Sequence, residues 1–130
     1  MKRVLLAFLA GFLATLVFHQ PVAWLFHRPV YAMNPVPPFG VPSVISLAFW
    51  GGIWGAVMIP IIAKARGIGW WIAAIVFGAV FPTLVAALVV MPLKGIHMKR
   101  TPSLVLLGLS VNGAWGLGTA AFYRLFGGKR

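Results

Sequence analysis

Three histidines, His19, His27 and His97, are the side chains of this chain best suited to proton transfer or to binding a metal or haem. His19 and His27 are eight residues apart, but Pro21 lies between them and disturbs the helical phase that would align them. The methionine and histidine spacings complete no recognisable cofactor motif. Haem binding therefore stays open as one alternative, and hydrogen bonding at the membrane interface is the other.

The sequence contains no aspartate, glutamate or cysteine, which removes most groups that enzymes use. Carboxylates would be needed as general acids or bases, as ligands of hard metals, or as sites that couple transport to protons or sodium. The four serines have no carboxylate available to orient a histidine beside them. We expect a protein that is not an enzyme, with no catalytic residue, metal ion or cofactor.

All eleven charged side chains are lysine or arginine, so the formal net charge is +11. They are scattered at predicted helix ends rather than gathered in one patch, which argues against nucleic-acid binding. We expect their counter-charge to come from anionic lipid headgroups or from an acidic partner. The residues expected at anionic lipid are Lys64, Arg66, Lys99, Arg100 and Arg124.

The composition indicates a membrane protein. Hydrophobic residues make up 62% of the 130 and charged residues 8%, whereas soluble domains are about 25% charged. Four uncharged runs each supply the ~20 apolar residues that a spanning helix needs. We predict an all-α fold in one integral membrane domain, residues 1–130, whose first helix is a retained signal anchor. The predicted transmembrane helices cover about residues 4–24, 43–63, 69–91 and 103–126, with a kink or an exit at Pro21.

Small residues recur every four positions on each predicted helix. The clearest case is Gly51 and Gly55, which form one notched face flanked by Trp50 and Trp54. In lipid such faces allow close approach of another helix, since lipid tails provide no hydrophobic drive between helices. The predicted helix-packing residues are Gly11, Gly51, Gly55, Gly78, Gly108 and Gly116.

Two uncharged polar side chains, Gln20 and Asn112, fall near or within the spans. Asn112 lies at predicted mid-depth, so it either bonds to another helix or lines a cavity. Together with the three histidines these residues are the candidates for a polar cavity or a ligand site.

The distribution of basic residues predicts that both termini are cytoplasmic. Seven lysines and arginines lie on the side of the termini and the 64–67 turn, and four lie on the other side.

The two halves of the sequence share a layout that would fit a 2+2 parallel repeat, with coincidence in a biased sequence as the alternative. The matching features are Pro21 and Pro92, Pro42-Ser43 and Pro102-Ser103, and the Gly-x-Trp-Gly runs at 52–55 and 113–116.

Three stretches carry a resemblance to a family. They are Phe18-His19-Gln20, then Pro38-Phe39-Gly40-Val41-Pro42, then the run from Ser46 to Gly55. Residues 1–60 thereby resemble a group of small, functionally uncharacterised proteobacterial inner-membrane proteins. The resemblance implies a bacterial source and a short four-helix protein, located in the inner (plasma) membrane. It implies no active site.

Three functions are compatible with these features. The first is a non-catalytic accessory or structural subunit that packs against a larger membrane complex, or against itself. It would use the Gly51/Gly55 and Gly108/Gly116 faces, because the chain has more glycine faces than a four-helix bundle is expected to bury. The second is a small channel or transporter for an anionic or amphiphilic solute, and the third is a haem-binding redox subunit.

Overall fold

The computed structural model describes residues 1–37, 39–95 and 101–128. Four of its helices are long and apolar enough to cross a membrane, which confirms the predicted all-helical fold. Each end lies within two residues of its predicted position, because the uncharged runs stop at basic residues and prolines that also end the helices. The helices are α1 (Lys2–Leu25), α2 (Ser43–Ile62), α3 (Ile68–Leu93) and α4 (Pro102–Leu125).

Both α1 and α3 contain a π-helical turn just before a proline. The turns are Thr15–His19 and Ala86–Val90, and they precede Pro21 and Pro92. Proline has no backbone N–H and its ring crowds the carbonyl group one turn earlier, so a wider turn lets the helix continue past it. α1 therefore runs on to Leu25, so of the two alternatives expected at Pro21, a kink or an exit, the exit does not occur.

The segment between α1 and α2 folds back onto the start of α2. Its strands β1 (Pro35–Val36) and β2 (Val41–Pro42) pair antiparallel. Beyond β2, the N–H groups of Ser43 and Val44 donate to backbone carbonyl oxygens of residues 34 and 32, at 2.9 and 2.8 Å. Backbone donors at a helix start have no partner within the helix, so this segment satisfies them where water is scarce.

The helices pack in the order α2, α1, α4 and α3, with a smaller contact between α2 and α3. Arg3, Ala63 and Tyr123 line one crevice, so the start of α1, the α2–α3 turn and the end of α4 meet at one end of the bundle. We call this the basic end. The cations that lie there among the described residues are Lys2, Arg3, Lys64, Arg66 and Arg124.

Candidate functional site

Three of the predicted packing glycines join α1 to α2. A β-carbon added at Gly55 would lie 2.5 Å from the carbonyl oxygen of Ala7 and 3.0 Å from Cα of Gly11. One added at Gly51 would collide with the hydroxyl of Thr15. Only glycine allows the two backbones to approach so closely. The Gly51/Gly55 face is therefore occupied by the chain's own α1, and its expected use for a partner protein is wrong.

The same type of contact joins α3 to α4. A β-carbon at Gly78 would lie 2.5 Å from the carbonyl oxygen of Asn112 and 2.8 Å from Cα of Gly116. Gly108 faces Thr83, whose Cγ2 would be 3.1 Å from an added β-carbon. The Gly108/Gly116 face is thus also used inside the chain, and assigning it to a partner is a second error. Both errors have one cause, since spacing reveals a notched face without revealing which helix fills it.

The carbonyl oxygen of Gly11 is the polar centre of the bundle. The hydroxyl of Thr15 donates to it at 3.0 Å, and the indole Nε1 of Trp115 donates to it at 3.0 Å. Thr15 and Trp115 are both buried. The Trp115 bond ties α4 to α1 at the point where α1 meets α2, and the Thr15 bond lies within α1. Sequence reasoning missed this role of Trp115, although the Gly-x-Trp-Gly run around it was the available signal.

Asn112 bonds between helices. Its Nδ2 donates to the hydroxyl oxygen of Thr83 at 2.8 Å, and that hydroxyl donates to the carbonyl oxygen of Gly108 at 3.3 Å. Thr83 is thereby both acceptor and donor between α3 and α4. Of the two alternatives for Asn112, the structure shows the interhelical bond.

Gln20 is the middle of a second polar chain. The backbone N–H of Tyr31 donates to its Oε1 at 2.7 Å, and its Nε2 lies 3.1 Å from Nδ1 of His19. Because the amide oxygen accepts from Tyr31, the amide nitrogen donates to His19, and neutral His19 therefore carries its proton on Nε2. The Tyr31 hydroxyl donates to the carbonyl oxygen of Leu16 at 2.7 Å. In the π-helical turn that carbonyl faces residue 21, a proline with no N–H.

The histidines are not gathered into a ligand set among the described residues. Nδ1 of His19 is used by Gln20, while His27 is exposed just beyond α1 in the left-handed backbone region, with φ of 60°. His27 lines an open hollow with Trp24 and Arg28. His97 lies outside the described residues. Within the described chain no group of three metal-ligating side chains occurs.

Arg124 lies over two aromatic rings at the basic end. Its Cζ lies 5.1 Å from the ring centroid of Trp70 and 5.8 Å from that of Trp71. Lys64 and Arg66 lie on the turn just before α3, where these tryptophans begin the helix. The expected lipid-contacting residues Lys99 and Arg100 lie outside the described residues.

Two glycines outside the predicted packing set, Gly52 and Gly118, lie against aromatic side chains. A β-carbon at Gly52 would lie 2.6 Å from the ring of Phe8, and the ring of Phe18 covers Gly118 in the same way. A crevice of about 90 Å³ between α1, α2 and α4 has mostly apolar walls and carries Arg3 and Tyr123.

Comparisons with protein-family models, with curated proteins and with solved structures each found no match for this chain. The resemblance of residues 1–60 to proteobacterial inner-membrane proteins therefore stays a prediction.

Proposed function

We propose that this protein is a non-catalytic accessory or structural subunit of the bacterial inner membrane. It packs through its outer surface against another membrane protein or against a second copy of itself, with both termini in the cytoplasm. The observation that carries the proposal is that its small and polar residues serve internal contacts. Gly11 accepts from Trp115, Asn112 bonds to Thr83, and Gln20 bonds to His19 and Tyr31. A solute pathway would need several such groups facing the solute.

The partner surface that we propose is the outer face of α3. This helix has 26 residues, and its most apolar stretch of 18 residues has a mean hydropathy of 2.5, with only 17% of that stretch buried within the chain. Its main neighbour within the chain is α4. A partner helix on this face would bury long apolar side chains, which gain dispersion contacts when they interdigitate. The exposed residues on it include Ile72, Val76, Phe81, Leu84 and Leu88.

Site-specific cross-linking in intact membranes tests this assignment. A photoreactive residue placed at Leu84 on α3 is compared with one at Val17 on α1, which lies at a similar distance from the basic end. The two side chains are 48% and 52% exposed, so lipid reaches both. We expect one discrete product from position 84 and none from position 17. A product of twice the chain mass indicates a second copy, and any other discrete mass indicates a partner. Equal products from both positions, or none from position 84, would contradict the proposal.

A second candidate, a small transporter for an anionic or amphiphilic solute, is favoured by one observation. The halves make equivalent contacts, which supports a 2+2 parallel repeat, and many transporters are built from repeats. In proteoliposomes this candidate predicts solute flux that is lost on Asn112→Leu, whereas the subunit proposal predicts vesicles as tight as protein-free ones. The matching contacts are Gly55 with Ala7 and Gly11, Gly116 with Ala74 and Gly78, Trp54 with Phe77, and Trp115 with Gly11.

A further inference from the structure

At the basic end, the guanidinium of Arg124 lies over two aromatic rings. Arg124 lies in the last turn of α4, with its Cζ over the rings of Trp70 and Trp71 of α3. Trp70 is fully buried and contacts the buried ring of Tyr123, with 6.2 Å between ring centroids. Trp70 is therefore held by packing, and its ring lies next to the guanidinium. A stacked guanidinium uses its flat face for the aromatic contact and keeps N–H groups at its edge for an acceptor.

No side chain of this protein can supply a carboxylate acceptor for Arg124, because the sequence has no aspartate or glutamate. Lys64 and Arg66, just before α3, add further positive charge at the same end. The two tryptophans lie in the first turn of a membrane-spanning helix, the level at which tryptophan is enriched beside lipid headgroups. A lipid phosphate is the anion present at that level.

We propose that Arg124, Trp70 and Trp71 form a binding site for the phosphate of an anionic phospholipid. The guanidinium donates two parallel hydrogen bonds to phosphate oxygens, and the rings orient it in advance. Anionic headgroups such as phosphatidylglycerol bind better than phosphatidylcholine, because the surrounding cations repel the choline group and no side-chain carboxylate can pair with it. This site goes beyond the proposed function and does not depend on any protein partner.

Native mass spectrometry of the full chain with added phosphatidylglycerol or phosphatidylcholine tests the site. We expect Arg124→Gln to weaken phosphatidylglycerol binding about tenfold, as expected for losing a charge-assisted bidentate contact. The matched control is Lys2→Gln, which removes the same charge at the same end and should change binding less than twofold. Arg124→Lys keeps the charge without the planar fork and should weaken binding about threefold. Circular dichroism verifies that each variant is folded.

Equal weakening by Lys2→Gln and Arg124→Gln would overturn the site, because it would indicate diffuse attraction to the whole basic end. Equal affinity of the unmodified protein for phosphatidylglycerol and phosphatidylcholine would also overturn it. Competition by soluble glycerol phosphate at equal concentration would assign the site to a free phosphate ester and not to a lipid. If Arg124→Gln fails to fold, the phosphatidylglycerol binding of Arg124→Lys is compared with that of Lys2→Gln instead. Unchanged binding in Arg124→Lys then counts against the proposal.

Discussion

Replacing Gly116 by alanine tests the close contact between α3 and α4 with a single methyl group. The added β-carbon would collide with the carbonyl oxygen of Ala74, and it would lie 3.1 Å from the carbonyl carbon of that residue and 3.2 Å from Cα of Gly78. These are backbone atoms of a helix, so they cannot rotate away as a side chain would. The two helices must separate to make room.

The expected loss of stability combines two opposing effects. Overpacking a close contact costs about 1–3 kcal/mol. Replacing a glycine inside a helix by alanine returns roughly 0.5–1 kcal/mol, because the unfolded chain loses conformational freedom. The difference is roughly 0–2.5 kcal/mol. Because the clash is with backbone atoms, we expect Gly116→Ala to lower the free energy of unfolding by about 1–2 kcal/mol, within that range and a large share of the stability of a small domain.

The matched control is Gly113→Ala, on the same helix and facing the same neighbour. There the added β-carbon would lie 3.5 Å from Cβ of Ala79 and 3.7 Å from Cγ2 of Ile75, which is ordinary van der Waals contact. We expect this variant to match the unmodified protein or to exceed it by up to about 1 kcal/mol. Unfolding in mixed micelles of increasing dodecyl sulfate content, followed by tryptophan fluorescence and circular dichroism, measures both variants. Equal losses of unfolding free energy in the two variants, or no loss in Gly116→Ala, would refute the packing described for α3 and α4.

Three further substitutions, with Thr101→Val as a control, test individual polar contacts. Trp115→Phe keeps an aromatic ring but removes the 3.0 Å hydrogen bond to Gly11, and should lower the free energy of unfolding by about 0.6 kcal/mol in the same assay. No change would mean that the bond does not stabilise the bundle. Thr83→Val removes both the acceptor of Asn112 and the donor to Gly108, and should cost about 1 kcal/mol. Thr101→Val, at the start of α4, should cost less, because its site is nearer to water. Tyr31→Phe removes the donor to Leu16 and should speed amide exchange of the backbone N–H of residue 31 several-fold. An unchanged rate would show that the hydroxyl does not hold the segment.

The four spans were predictable because the signals that define them are local. Uncharged runs of sufficient length and the basic residues between them are read directly from the sequence, and they placed every helix end within two residues. The small-residue faces were predictable for the same reason, because Gly51 and Gly55 lie on one helix face whatever surrounds it. The helix that packs against each face was not predictable, because any helix can fill a notch and only the three-dimensional arrangement selects α1 for Gly51 and Gly55.

The polar contacts could not be predicted because each joins distant parts of the chain. Trp115 and Gly11 are 104 residues apart, and Gln20 meets Tyr31 only after the intervening segment has folded back. Pro21 was visible as a disturbance of α1, but its outcome depends on whether the freed carbonyl group finds a donor. The hydroxyl of Tyr31 supplies that donor at Leu16, and the helix continues through a wider turn.

The mass of the protein in membrane patches extracted with their native lipids tests the central claim most directly, because it asks whether the outer surface has a protein neighbour. The chain alone has a mass of 14.0 kDa. A bundle whose glycines and polar groups are used internally, and whose outer surface packs on protein, should be recovered as a larger assembly of fixed stoichiometry. Recovery of a single 14.0 kDa chain with lipid alone would contradict the account.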